Sequence, residues 1–101
     1  MDLELIRGFN WDEGNHRKNA AKHDVSQVEA EQVFFNQPLL VVADSRHSID
    51  EERWHALGVT DVGRNLHITF TLRSEKTLIR VISARDMHRK EREVYGAQKS
   101  E

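Results

Sequence analysis

Side chains of the kinds that act on a phosphodiester fall in three groups along the chain. They lie near the predicted ends of helices and strands: Lys22, His23, Glu52, Arg53, Arg73, Arg80 and Arg85. The planar guanidinium of arginine fits phosphate oxygens, and histidine, glutamate and lysine can move a proton during a reaction. Such a set permits RNA cleavage by RNA's own 2′-hydroxyl, which needs a proton acceptor, an acid for the 5′-oxygen and cations for the developing charge. That reaction does not require magnesium.

Each of these groups also has a structural interpretation. Lys22 and His23 suit the end of a helix, where the macrodipole favours positive charge. Glu52 and Arg53 could form an exposed ion pair that adds little stability. Arg80 would share a strand face with apolar residues, at the rim of a sheet, in an ion pair or in a cleft. The residue types therefore permit ribonuclease chemistry without selecting it.

Other kinds of site are excluded by residue content. The chain has no cysteine, which rules out disulfides, thiolate zinc sites, iron–sulfur clusters and a cysteine nucleophile. It has no P-loop or G-x-G-x-x-G motif, and no glutamate is followed two positions later by lysine. The six histidines lack metal-binding spacing. His55 and His67 could meet across neighbouring strands, but we expect scattered surface histidines. We predict no metal and no cofactor.

Length indicates one small domain, and the distribution of charge permits an anionic partner. The 101 residues support a single domain, 1–101. No apolar run approaches the ~18 residues of a membrane span, and the acidic start lacks a signal peptide's apolar segment, so we expect a cytoplasmic protein. Residues 1–52 carry 5 basic and 11 acidic side chains, whereas residues 53–101 carry 10 and 6. The second half could face RNA, DNA or an acidic protein, or be a solvated face that balances the first half.

The first part of the chain predicts a strand and two helices. Residues 5–11 form a short apolar run, and Asp12 suits the N-cap of a helix over residues 13–23. Ser26 and Glu29 have capping-box spacing and predict a second helix over residues 27–35, which ends before Pro38.

The rest of the chain is mostly strand. Residues 39–43, 53–59, 66–73 and 78–82 predict strands, and residues 66–73 show the clearest alternation. Ser83 and Asp86 repeat the capping-box spacing and predict a helix over residues 85–96, with Met87, Val94 and Tyr95 on one face. The order predicts an α+β fold: an antiparallel sheet of four or five strands, one face covered by two N-terminal helices and a C-terminal helix.

An ordered set of short motifs between residues 9 and 95 resembles the BrnT family of bacterial toxins. The first motif begins with Phe9, Asn10, Trp11 and Asp12 and continues with Asn19, Lys22, His23, Val25 and Ser26. The middle contains Asp44, His47, Ser48, Glu52, Arg53, Leu57 and Gly58. The ending reads R-V-I-S-A-R over residues 80–85, followed by Glu91, Arg92 and Tyr95. The family's fold is similar to that of RelE-type ribonucleases.

The resemblance implies a type II toxin that inhibits translation as a ribonuclease. It also implies a BrnA-like antitoxin that carries the DNA-binding elements, so that the pair represses its own operon, with two toxins bridged by two antitoxins. The family's functional positions fall on Trp11, Lys22, His23, Glu52, Arg53, Arg73, Arg80 and Arg85. Arg73, Arg80 and Arg85 would hold phosphate, whereas Glu52, Lys22 or His23 would serve the 2′-hydroxyl or the leaving group. Trp11 could stack on a base or belong to the core.

Two departures from the family pattern leave a second function open. Asp24 stands where glycine is common, and we expect it to hold the left-handed backbone of that turn. Asn15 stands where many relatives have lysine, which could weaken catalysis. Asn15 and the acidic overall charge favour an alternative function, a catalytically weak interaction module that acts mainly in an autorepressing complex with the antitoxin. A regulator that binds DNA alone is disfavoured, because no helix-turn-helix pattern is evident.

Overall fold

The computed structural model describes residues 1–15 and 23–99. A 3-10 turn (Leu3–Leu5) precedes β1 (Gly8–Phe9), and helix α1 (Gln27–Val33) leads to β2 (Leu40–Ala43). The strands β3 (Trp54–Val59), β4 (Asn65–Arg73) and β5 (Leu78–Asp86) follow, and helix α2 (Arg89–Lys99) comes last. Residues 13–15 and residue 23 are also helical. Lys22, a predicted site residue, lies outside the described residues. The predicted α+β class is confirmed.

The sheet has the strand order β1-β5-β4-β3-β2 and is mixed. Strands β2 to β5 pair antiparallel, but β1 runs parallel to β5, with Gly8 opposite Leu78. The prediction of a wholly antiparallel sheet is therefore wrong at this edge. Hairpin connections force antiparallel pairing between sequence neighbours, whereas β1 and β5 are joined only through the rest of the fold. The predicted strand over residues 5–11 is reduced to two residues.

Local signals at the helix starts are confirmed. Ser26 Oγ accepts the backbone N–H of Glu29 at 3.1 Å, and the Glu29 carboxylate accepts that of Ser26 at 3.0 Å. Asp12 and Asn15 make the same reciprocal pair, at 3.1 and 2.7 Å. Asp24 has φ of 53°, the left-handed backbone expected of it. These short-range bonds depend on residue type and spacing alone, which is why the sequence revealed them.

Helices cover both faces of the sheet, whereas the sequence predicted helices on one face. The main core lies between α1 and the face that carries Trp54, Ile68 and Phe70. The side chain of Tyr95 in α2 packs instead with Leu57, which points to the other face. The Tyr95 hydroxyl also donates to the Pro38 carbonyl at 2.6 Å. Alternation along β3 separates neighbouring residues onto opposite faces, so α2 and α1 lie on opposite sides.

Strand β5 is longer than predicted, and α2 starts later. Ser83, Ala84 and Arg85 pair with β4, so the capping box over residues 83–86 and the helix start at residue 85 are wrong. Ala84 is fully buried on the core face, and that burial extends the strand past the polar Ser83. The predicted apolar face of the helix is also partly wrong, because Val94 is 52% exposed.

Two glycine-to-alanine changes should have opposite effects on stability. A Cβ at Gly58 in β3 would lie 2.5 Å from Val33 Cγ1 in α1, so Gly58→Ala should lower the free energy of unfolding by about 1–3 kcal/mol. At Gly96 in α2 a Cβ meets nothing within 4 Å, so Gly96→Ala should raise it by up to ~1 kcal/mol. Urea unfolding followed by circular dichroism measures both. A Gly58→Ala protein as stable as the wild type would contradict the close contact of α1 with β3.

Candidate active site

The register of three strands aligns Arg53, Thr71 and Arg80 across one face of the sheet. Thr71 lies directly opposite Arg80, and its hydroxyl donates to the Glu52 carbonyl at 2.7 Å. Trp54 pairs with Phe70, so Arg53, just before β3, is next to Thr71. Adjacent strands lie about 4.8 Å apart. Two guanidinium groups therefore flank a hydroxyl on the face opposite the main core.

Arg73 joins this row to form a cavity of about 270 Å³, which we call the arginine cavity. Its walls are formed by Gly14, Asn15, Glu51, Arg53, Arg73, Arg80, Val81 and Ile82. The structure thus brings together three of the arginines that the sequence singled out. Asn15 is 5% exposed and donates to the carbonyls of Asn10 and Val81 at 3.1 and 3.2 Å.

Carboxylates hold the guanidinium groups of the arginine cavity. Glu51 pairs with Arg73 through one oxygen and lies 3.7 Å from Arg53 through the other. Arg80 contacts Asp12 at 3.0 Å and donates to Asn10 Oδ1 at 2.7 Å. The backbone N–H of Asn15 and then the charge of Arg80 lower the pKa of Asp12. Within the described residues, the ion pairs of Arg53, Arg73 and Arg80 involve Glu51 and Asp12, so the arginines outnumber their carboxylate partners there.

Arg53 has unused hydrogen-bonding capacity. Its Nε is buried and has no hydrogen-bond partner among the described residues, although buried donors are nearly always hydrogen-bonded. An additional acceptor near Arg53, such as a phosphate oxygen, would satisfy it.

The carboxylate in the cavity is Glu51 rather than Glu52. Glu52 is exposed, whereas the Glu51 side chain lines the cavity and reaches both Arg53 and Arg73. The sequence pattern indicated Glu52, the second of two adjacent glutamates, whereas the first lines the cavity. Alternation could have indicated the choice, because positions 51 and 53 share a face in extended chain and positions 52 and 53 do not.

Two other predicted residues do not join the cavity. The His23 carbonyl accepts from Arg64 at 3.5 Å, and Arg64 directly precedes β4, whereas Arg73 ends it. An extended strand of that length spans about 30 Å. Trp11 packs against the main core and donates from Nε1 to Glu31 at 2.8 Å, a position that favours the core interpretation of this tryptophan.

Arg85 lies on the same sheet face as the arginine cavity, but farther along β5. Its guanidinium makes a two-point ion pair with Glu91, at 2.8 and 2.9 Å. Hydrogen bonds from Arg85 lower the pKa of Glu91 to about 2. The sequence placed Arg85 at a helix start, whereas it lies in β5 opposite His67.

Between the cavity and α2 lies a group that we call the histidine cluster: Asp44, His47, His55, His67 and Thr69. Asp44, 6% exposed, accepts from His47 at 3.0 Å and from His55 Nε2 at 3.1 Å. His55 Nδ1 is 3.0 Å from Thr69 Oγ1, and the rings of His55 and His67 are 4.8 Å apart. The expectation of scattered surface histidines is wrong for this pair, and the possibility that they meet across strands is confirmed.

Burial and nearby charges shift the pKa values of two groups in the histidine cluster. Burial, reinforced by the nearby Arg85 charge, lowers the pKa of His67 to about 4, and within residues 1–15 and 23–99 its Nδ1 has no hydrogen-bond partner. Burial disfavours the charged form of Asp44, but the hydrogen bond from His47 and the charges of His55 and His47 outweigh it and lower the pKa of Asp44. The cluster therefore combines a neutral imidazole with a buried anion.

Among residues 1–15 and 23–99, no three histidine, aspartate or glutamate side chains are grouped so as to hold a metal ion. Within the same residues, each helix is too short or too polar to cross a bilayer.

Acid should destabilise the fold through His67. Its pKa of about 4 in the folded protein, against an ordinary 6.5, means that the unfolded chain takes up this proton first. Its contribution to the free energy of unfolding is complete above pH 6.5 and is lost as the pH falls toward 4, by on the order of 2 kcal/mol. Urea unfolding at several pH values should give a flatter dependence for His67→Leu. His88→Leu, at an exposed histidine, should keep the wild-type slope. Equal slopes for wild type and His67→Leu would contradict this assignment.

A comparison with protein families identifies the chain. Residues 11–91 match the family described as the ribonuclease toxin BrnT of type II toxin–antitoxin systems. No curated protein matches the chain. The matched segment contains every residue of the arginine cavity and the histidine cluster, and a type II system implies an antitoxin partner. The chain belongs to the BrnT family of ribonuclease toxins from type II toxin–antitoxin systems.

Proposed function

We propose that the protein is a metal-independent endoribonuclease that cleaves RNA by attack of the 2′-hydroxyl and thereby inhibits translation. The observation that carries this proposal is the convergence of Arg53, Arg73 and Arg80 on one cavity with a carboxylate. Guanidinium groups arranged in advance can stabilise the charge that develops on a pentacoordinate phosphate. Family membership supports the activity, and we place the reaction in the cytoplasm, on a RelE-like fold.

Arginines supply the binding step. A phosphodiester that enters the cavity would accept from Arg53 and Arg80, which flank Thr71, and would satisfy the buried Arg53 Nε. Arg73 would contact a second phosphate oxygen. The phosphate must compete with Glu51 for Arg73 and with Asp12 for Arg80. Both carboxylates are at least partly exposed, so solvent is available to them when they separate from arginine.

Glu51 supplies the proton acceptor. When phosphate takes its place on Arg73, the Glu51 carboxylate remains beside the bound nucleotide and can accept the 2′-hydroxyl proton. Glu52, the residue favoured by the sequence, would then act outside the cavity, and Lys22 and His23 would act in binding flanking RNA. Arg85 would hold a further phosphate, about 13 Å from Arg80 along β5, once Glu91 releases it.

The antitoxin is proposed to neutralise the same cavity. A BrnA-like partner with an acidic segment would complement the cationic face and exclude RNA. We propose a heterotetramer of two toxins and two antitoxins, which binds operator DNA through the antitoxin only.

Removing a cavity arginine should abolish cleavage in excess EDTA. The purified wild type is expected to fragment mRNA, and Arg53→Ala or Arg80→Ala should cleave at least 100-fold more slowly because transition-state charge loses its partner. Arg89→Ala is the matched control, since this arginine is 86% exposed in α2, and it should cleave normally. Gel analysis of a defined mRNA measures the rates. Absence of wild-type fragments, together with survival of cells that overproduce the lone protein, would favour the interaction-module alternative.

Substitutions of the two neighbouring glutamates, Glu51 and Glu52, should have very different effects on the rate of cleavage. Glu51→Gln removes the proton acceptor and should slow cleavage by about 10²-fold or more, while RNA binding is kept or tightened because Arg73 loses its competing anion. Glu52→Gln changes an exposed side chain and should stay within a few-fold of wild type. Single-turnover rates and filter-binding affinities separate the two effects. Equal behaviour of the two variants would contradict the assignment of Glu51.

A further inference from the structure

The histidine cluster lies directly beside the arginine cavity. Alternation along the chain puts residues 53 and 55 on the same side of the sheet, about 7 Å apart. In β4, Thr69 opposite His55 is likewise two residues from Thr71. His55 therefore occupies the row of the sheet next to the row formed by Arg53, Thr71 and Arg80.

The two nitrogens of His55 have different partners. Nε2 is 3.1 Å from the buried carboxylate of Asp44, which is also held by His47. A carboxylate on one ring nitrogen fixes the orientation of an imidazole and offsets the positive charge that the ring gains on protonation. Nδ1 is 3.0 Å from the Thr69 hydroxyl, and a substrate oxygen could replace a hydroxyl there. The ring is 29% exposed, so it is accessible from the polar face.

Other described histidines are less suited to donate a proton at this cavity. His67 is farther along β4, opposite Arg85, and its pKa of about 4 leaves it neutral near pH 7. His47 is 66% exposed on the loop after β2. His23 lies beside Arg64, at the end of β4 opposite to Arg73. His55 is therefore the imidazole among the described residues that has both a buried carboxylate partner and a position next to the arginine row.

We propose that His55, oriented by Asp44, is the proton donor to the leaving 5′-oxygen. This inference rests on the proposed ribonuclease function. The 2′-oxygen forms a bond to phosphorus and gives its proton to Glu51, and the bond between phosphorus and the 5′-oxygen breaks. The departing oxygen keeps the electron pair and takes the proton from Nδ1 of the His55 imidazolium. The products are a 2′,3′-cyclic phosphate and a 5′-hydroxyl, and water then restores both side chains. His55 is the catalytic residue and Asp44 is a positioning residue.

A sulfur leaving group provides the test, because a thiolate departs without protonation. The wild-type cleavage position is first mapped on mRNA in excess EDTA. Two oligonucleotides are then made, one natural and one with sulfur in place of the 5′-oxygen at that position. In single-turnover reactions, His55→Gln should cleave the natural substrate about 10²-fold or more slowly than wild type. It should cleave the sulfur substrate within a few-fold of wild type.

Two further variants make the result specific. His88→Gln alters an exposed histidine and should behave as wild type on both substrates. Asp44→Asn should reduce the rate of cleavage less than His55→Gln does, and again only on the natural substrate. Thermal unfolding shows which variants are folded, and if His55→Gln is not, the sulfur comparison on Asp44→Asn decides.

The outcomes are distinct. A loss that is equal on both substrates, or no loss, would overturn the role of His55 while leaving the ribonuclease proposal intact. A wild-type protein that gives no fragments of the mRNA in excess EDTA would overturn both.

Discussion

The polar face of this protein depends on the register of β4 between its two neighbours. Pairing of Thr71 with Arg80, and of Phe70 with Trp54, puts the arginines of separate strands side by side on one face. The same pairing sends Trp54 and Phe70, which stack at 5.8 Å, into the core. A shift of the β4 register by one residue would turn its core side chains to the polar face and its polar side chains to the core. Burial of the aromatic side chains therefore fixes the position of the arginines.

A bulge extends the polar face along β5. Thr69 pairs with Ser83 and Phe70 with Val81, so Ile82 is an additional residue in β5. One extra residue reverses the side-chain alternation beyond it. Without the bulge, Arg80 and Arg85 would point to opposite faces; with it, they share one face, and Ala84 remains in the core. The bulge thus permits a continuous polar surface from the arginine cavity to α2 without loss of core burial.

Paired charges keep this cationic face compatible with folding. Glu51, Asp12 and Glu91 hold the guanidinium groups of Arg73, Arg80 and Arg85 in the free protein. The pairs of Arg73 and Arg80 are partly exposed and contribute little stability, so exchange of their carboxylates for a phosphate or an acidic protein segment costs little. A different arginine links distant segments of the chain through its ion pairs and hydrogen bonds. Arg64 joins Asp86, Glu29 and the Asp24 carbonyl, and the Asp86 and Glu29 carboxylates raise its pKa above its ordinary value.

Local chemistry determined what the sequence could predict by itself. The Ser26 and Glu29 capping box, the left-handed Asp24, the alternating strand over residues 66–73 and the family motifs depend on residues close together in the chain. Only the tertiary structure decided the parallel pairing of β1 and the length of β5. It also decided that Glu51 rather than Glu52 lines the arginine cavity, that His23 lies far from this cavity and that His55 meets His67. Each of these features depends on strand register, on a bulge or on packing between distant segments. Register, bulges and long-range packing are determined by burial of the whole core rather than by residues that are neighbours in the chain.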